Sequence, residues 1–126
     1  MTIGITIKTL LDANAALLAL VPSARIFPYI ANEKTALPLI IYTVDSLDPS
    51  YDKDGWIQDN CNFSVVSFSE DYANLQLIVT QVREALELEK TSATRRIVLT
   101  GQQEGYNINE GVFLNKLTFS VDIFDY

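Results

Sequence analysis

Apolar residues recur at helical spacing from Ile3 to Val21: Ile3, Ile7, Leu10, Leu11, Leu17, Leu18 and Val21 put one apolar stripe on a helix. The stretch DANAA, Asp12 to Ala16, offers a break, with Asp12 as the cap of a second short helix. Pro22 ends the run, because proline lacks the N–H that a helix interior needs. Further on the rhythm shortens. Residues 39–47, LIIYTVDSL, are β-branched and aromatic, which predicts a strand. DPSYDKDG follows, dense in turn formers and ending in Asp54-Gly55. Residues 56–68 then alternate, with Ile57, Cys61, Phe63 and Val65 on one face and Asp59 as the exception. This is the return strand of a long hairpin.

Ser69 fits a helix N-cap, and Glu70 and Asp71 in the first turn suit the helix dipole. Tyr72, Leu75, Val79, Val82 and Leu86 form the core stripe of a helix reaching about residue 89. Leu77 lies off that stripe, a single exposed leucine and an interface candidate. Residues 95–101, RRIVLTG, predict a third strand, and QQEGYNINEG a turn region. Residues 112–125 predict a long fourth strand. There Phe113, Leu117, Phe119, Val121 and Ile123 point one way, and Leu114, Lys116, Thr118, Ser120 and Asp122 the other. The predicted order is α-β-β-α-β-β. That makes an α+β two-layer sandwich: a mainly antiparallel four-stranded sheet of two hairpins, with helices packed on one face.

Residues 22–38 hold two X-Pro steps. Phe27 precedes Pro28 and Leu37 precedes Pro38, and each proline pushes the residue before it toward extended backbone. ANEKTA between them reads as a polar turn. Two readings stay open: a connector whose aromatics pack over the core edge, or a surface arm that meets another subunit.

With 126 residues, 48% of them hydrophobic and 20% charged, the chain reads as one globular domain over 1–126. The single cysteine, Cys61, has no partner for an internal disulfide, and a reducing compartment is the simpler reading. No apolar run approaches the roughly 18 residues of a membrane span. Lys8 and Asp12 interrupt the N-terminal apolar stretch, so no signal peptide is read. A net charge of −7 argues against a protein that tracks nucleic-acid phosphates. Arg95-Arg96 is the only adjacent basic pair and reads as a solvated strand start.

The residues also restrict the chemistry. The absence of histidine removes Ser-His-Asp and Cys-His constellations and the usual proton shuttle. With one cysteine, it also removes a tetrahedral zinc site. Ser50 to Lys53 matches a Ser-x-x-Lys spacing, but in a turn and without the companion motifs of such enzymes. SYDKDGWIQDNC overlays a calcium loop at Asp52, Asp54 and Gly55. It has Ser50 at the first position and Cys61 where a bidentate Glu is required, and strands flank it. Asn62-Phe63-Ser64 fits a glycosylation acceptor, in a predicted strand. No catalytic, cofactor or metal residues are assigned.

The order of these pieces carries a resemblance. LLDANAALLALV runs into ARIFP, a polar turn and LPLIIY; ANLQLIVTQVREAL and a long alternating strand close the chain. This resembles the small tail completion, or tail-to-head joining, proteins of long-tailed bacteriophages and prophages. The most specific pieces are Arg25-Ile26-Phe27-Pro28, Leu37-Pro38 leading into Tyr42, the helix with Val82, Ala85 and Leu86, and the last strand. Pro22-Ser23 departs from the pattern, where a glycine is common.

The resemblance implies an α+β structural protein without enzyme activity or cofactor. It implies a ring, usually of six copies, that ends the tail tube and faces the head connector. Its partners would be itself, the tail tube protein and the head–tail connector, with no sequence-specific nucleic acid, membrane or small-molecule substrate. Its location would be the virion tail or neck, after assembly in the host bacterial cytoplasm. On that reading Phe27, Tyr29 and Ile30 form an arm held extended by Pro28 and Pro38, and Tyr51 and Trp56 mark the hairpin tip. Six copies at −7 each carry −42, and an acidic lumen would let DNA slide. The bland alternative is that the charge keeps the free subunit soluble. The alternative function is a small-molecule-binding or regulatory α+β domain acting as a dimer.

Overall fold

The opening helical run does break, but a different residue caps the second helix. The computed structural model describes residues 3–31, 36–92 and 94–124. Helix α1 spans Ile3–Asp12 and α2 spans Ala15–Leu20. Asp12 is still helical and accepts from Lys8 Nζ at 3.2 Å one turn earlier. Asn14 has the extended backbone a cap requires, and its Oδ1 accepts from the Leu17 N–H at 3.0 Å. Ile3, Ile7, Leu11 and Leu17 are buried.

A short 3-10 turn, Ser23–Arg25, leads into β1 (Ile26–Pro28), which pairs parallel with β2 (Leu39–Asp52), Ile26 opposite Ile40. The Leu37–Pro38 peptide is cis. After β2 come β3 (Gly55–Ser69), α3 (Tyr72–Leu86), β4 (Val98–Asn107) and β5 (Val112–Ile123). The described residues form one sheet in the order β1-β2-β3-β5-β4. All pairs but the first are antiparallel. The expected four-stranded antiparallel sheet is thus a five-stranded mixed sheet, and the order is α-α-β-β-β-α-β-β. Three residues are too few to display a period of two, so β1 left no trace in the pattern.

Element ends also move. Asp71, not Ser69, caps α3 by accepting from the Ala73 N–H at 3.1 Å. Ser69 ends β3, and its hydroxyl accepts from the Asp71 N–H at 3.2 Å. The helix stops at Leu86, and Leu88 follows with a left-handed φ of 62°. Tyr72 leaves the core stripe for the surface, while Ile78 and Ala85 join it. Strand β2 runs through Pro49 to Asp52, so the expected eight-residue turn region contracts to Lys53 and Asp54. Gly55 follows with φ 124°. Strand β4 starts at Val98 and continues through Gln102 to Asn107, which the sequence reads as turn. In both hairpins the polar ends are held by strand pairing rather than burial, and alternation cannot report them. The polar turn at 32–35 and the strand end at 125 lie outside the described residues.

The three helices pack on one another and on the sheet from one side. The core lies between these layers. Phe63 of β3 stacks on Phe119 of β5, with ring centroids 5.2 Å apart. Cys61 opposite Val121 and Val65 opposite Leu117 continue that face.

Candidate functional site

Beyond Val44 the β2–β3 pair continues without a helix over it, and residues 45–57 are exposed. Two bulges set the faces of this arm. The first inserts Asp45 between Val44 and Ser46. The hydroxyls of Thr43, at 3.0 Å, and Ser64 donate to its carboxylate. The second leaves Ile57 without a partner, because Ser50 faces Gln58 and Tyr51 faces Trp56. Leu47 opposite Cys61, Pro49 opposite Asp59 and Tyr51 opposite Trp56 therefore prolong the face that carries Phe63 in the core. The face is apolar by pattern yet exposed: Leu47 by 42%, Tyr51 by 67% and Trp56 by 41%.

The second bulge corrects the expected alternation. Ile57 turns out of the apolar face, and Trp56 replaces it. Asp59, the apparent exception, is buried on that face and accepts from Trp56 Nε1 at 2.8 Å. Cys61 is the last fully buried position before the arm on this strand. Burial, then the nearby Asp45 and Asp59, push its thiol up to about 11.

Tyr51 and Trp56 are thus brought together. Phe27, Tyr29 and Ile30 are not one extended arm. Phe27 is half-buried in β1 opposite Ile41. Tyr29 has φ 62°, so the chain turns there, and its N–H bonds the Tyr42 carbonyl at 2.9 Å. Tyr29 and Ile30 are exposed, and Tyr29 lies at the rim of a groove of about 490 Å³. Ile3, Ile5, Pro28, Tyr29, Tyr42 and Val44 line this groove. Its cation is engaged: Lys8 Nζ bonds Asp12 and the Ser23 carbonyl. Leu77 is exposed on α3, apart from the arm.

At the other end of the sheet the β4–β5 hairpin also leaves the core, but it is tied back. Glu104 accepts from Gln76 Nε2 and the Tyr72 hydroxyl at 3.0 Å each, and from Asn115 Nδ2 at 3.2 Å. The Gln76 bond, then the Tyr72 bond, hold its carboxyl below the usual range, and the same contact raises the Tyr72 phenol. Phe113 packs between Tyr72 and Tyr106, with centroids 5.4 and 4.6 Å away. Ile108, 84% exposed, stands out at that tip, and Tyr106 is half exposed beside it.

Among the described residues no three His, Cys, Asp or Glu side chains gather as metal ligands. The raised groups, Tyr42, Cys61 and Tyr72, are held neutral rather than activated. Sequence reasoning missed Leu47 and Ile5 as exposed apolar positions. Leu47 was legible had the alternation been carried through Pro49.

The model of the family described as tail completion protein gp17 matches residues 6–121. The chain belongs to the tail completion protein gp17 family. It is a structural component of phage-type tails. No curated protein matches the chain. Among solved structures, a chain in the virion of a native gene transfer agent particle superimposes with a TM-score of 0.75 at 16% identity. The match covers 94% of this chain and 91% of that one. At that identity the likeness is one of fold.

Proposed function

We propose that this tail completion protein is a non-catalytic subunit that closes the tail tube as a ring, six copies in the full assembly, and presents the ring to the head connector. Family membership supports the tail role. The observation that carries the ring is the uncovered β2–β3 arm, whose exposed Leu47, Tyr51 and Trp56 prolong the face that is core elsewhere. An apolar strand face that no element among the described residues covers is material for contact with another chain. A ring needs two different matching surfaces on each copy. The groove beside Tyr29 offers little to the small-molecule reading, because its lining is mainly apolar and its Lys8 and Thr9 side chains are already bonded within the chain.

Native mass over a concentration series at physiological salt tests this reading. The expected result is a species of six chains of 14.1 kDa, alone or on added tail tubes. A tight dimer at every concentration that ignores tubes would sink it.

A further inference from the structure

Opposite charges gather at the same end of the molecule. The arm, residues 45–59, holds Asp45, Asp48, Asp52, Asp54 and Asp59 against one cation, Lys53. Asp48, Asp52 and Asp54 are exposed on it. Strand β5 ends at Ile123 opposite Asp59, so among the described residues β3 from Gly55 to Gln58 has no strand partner on that side. The segment after α3 comes up beside this end. Thr94 bridges to Ile123, and the Arg95 N–H bonds the Asp122 carbonyl at 2.9 Å. There Lys90, Arg95 and Arg96 are exposed around an open depression of about 670 Å³ floored by Phe124. Arg95 lies 5.4 Å over the Phe124 ring.

The ion pairs among the described residues are Lys8–Asp12 and Arg83–Glu87. Within one copy Arg95 Nε reaches Gln58 Oε1 at the base of the arm at 3.5 Å, while the exposed acids Asp48, Asp52 and Asp54 are in neither of these ion pairs. Asp48 and Asp52 lie on β2, the side of the arm toward β1, whereas the patch lies on the β3 side, where the chain comes past β5 to enter β4. In a head-to-tail ring, one flank of each copy meets the opposite flank of the next.

Resting on the ring reading, the geometry points to this contact: the acidic β2–β3 arm of one copy docks on the Lys90-Arg95-Arg96 patch of its neighbour. Tyr51 and Trp56 then meet Phe124 and the guanidinium groups, so aromatic contact adds to charge. Both surfaces sit at the same end of the sheet, so copies meet without sliding along the ring axis. The occupant is a second copy because the complement of each surface is found on the same chain.

A charge-swap tests the contact. One variant carries Asp48→Lys, Asp52→Lys and Asp54→Lys; the other carries Lys90→Glu, Arg95→Glu and Arg96→Glu. All six positions are exposed, and melting curves check that both variants fold. Each variant alone is expected to self-associate on the order of 100-fold more weakly than the parent. An equimolar mixture is expected to recover the ring, because the reversed arm of one variant meets the reversed patch of the other. Raising salt to about 0.5 M weakens the parent ring. Rings that persist in both variants overturn the contact and leave the ring reading standing. Failure of the mixture to recover, with both variants folded, overturns it as well. A parent that stays monomeric at every concentration removes this contact as a self-sufficient interface, while tube binding still reports on the ring.

Discussion

The two hairpins begin alike and end differently. Both leave the helix layer, at opposite ends of the sheet, and both turn at a glycine with positive φ near the tip, Gly55 and Gly111. The β4–β5 hairpin is bound to α3 through Glu104 and the Tyr72–Phe113–Tyr106 rings. The β2–β3 hairpin is held at its base by Arg95 Nε to Gln58 Oε1 at 3.5 Å, and the bonds at its tip, Asp54 to Asp52 and Trp56 to Asp59, lie within the arm. A hairpin that spends its aromatics on its own helix is part of the fold. One that leaves them on an open face carries the contact proposed above.

Removing the free arm's aromatics should have the largest effect, and only on assembly. Tyr51→Ala with Trp56→Ala is expected to weaken self-association by at least about 100-fold by native mass, since buried interface aromatics dominate binding. The melting temperature should shift by no more than about 4 °C. A ring that survives this change breaks the comparison. The latched hairpin should respond in the opposite sense. Phe113→Ala is expected to cost about 2 kcal/mol of unfolding free energy in urea, the lower side of aromatic truncation because the ring is half-buried. Assembly of the folded fraction should be unchanged.

A smaller effect is expected from pH. Glu104 has a lowered carboxyl in the folded state, so the stability it supplies is present above its unfolded value. That stability is lost as pH falls through the folded one. Glu104→Gln should flatten this acid-side slope in urea midpoints, while substitutions on the free arm leave it in place. The smallest effect concerns the boundary of the arm. With its thiol pushed up to about 11, Cys61 should react negligibly with an alkylating reagent at neutral pH until the chain unfolds. Rapid alkylation of the native protein would mean that fraying of the arm runs past Asp59 into the core.

Much of this comparison was readable in advance. The stripe of α3 and the alternation of β5 depend on burial against one layer, and burial leaves a period in the sequence. Tyr51 and Trp56 were legible as a pair at a tip because turn formers separate them. The latch was not, since Glu104, Gln76 and Tyr72 come from separate elements and meet only when α3 lies over the sheet. Strand β1 was hidden for another reason: its three residues gain their partner through a parallel pairing that local pattern does not encode. The Arg95-Arg96 pair was visible as a charge, but its neighbours Lys90 and Phe124 were assembled around it by the return of the chain beside β5.

By itself, then, the sequence determined the α+β class, the single apolar core, the helix and strand periods and the exclusion of histidine chemistry. These follow from composition and from periods that each segment must satisfy locally. The tertiary structure alone decided the five-stranded order, the two bulges that place Trp56 rather than Ile57 on the apolar face, and which hairpin is tied down. It also decided that the acids of β2 and the cations beside β5 face outward at the same end of the sheet. Those outcomes depend on which strands become neighbours, and neighbours distant in sequence are chosen by packing of the whole chain rather than by any segment of it.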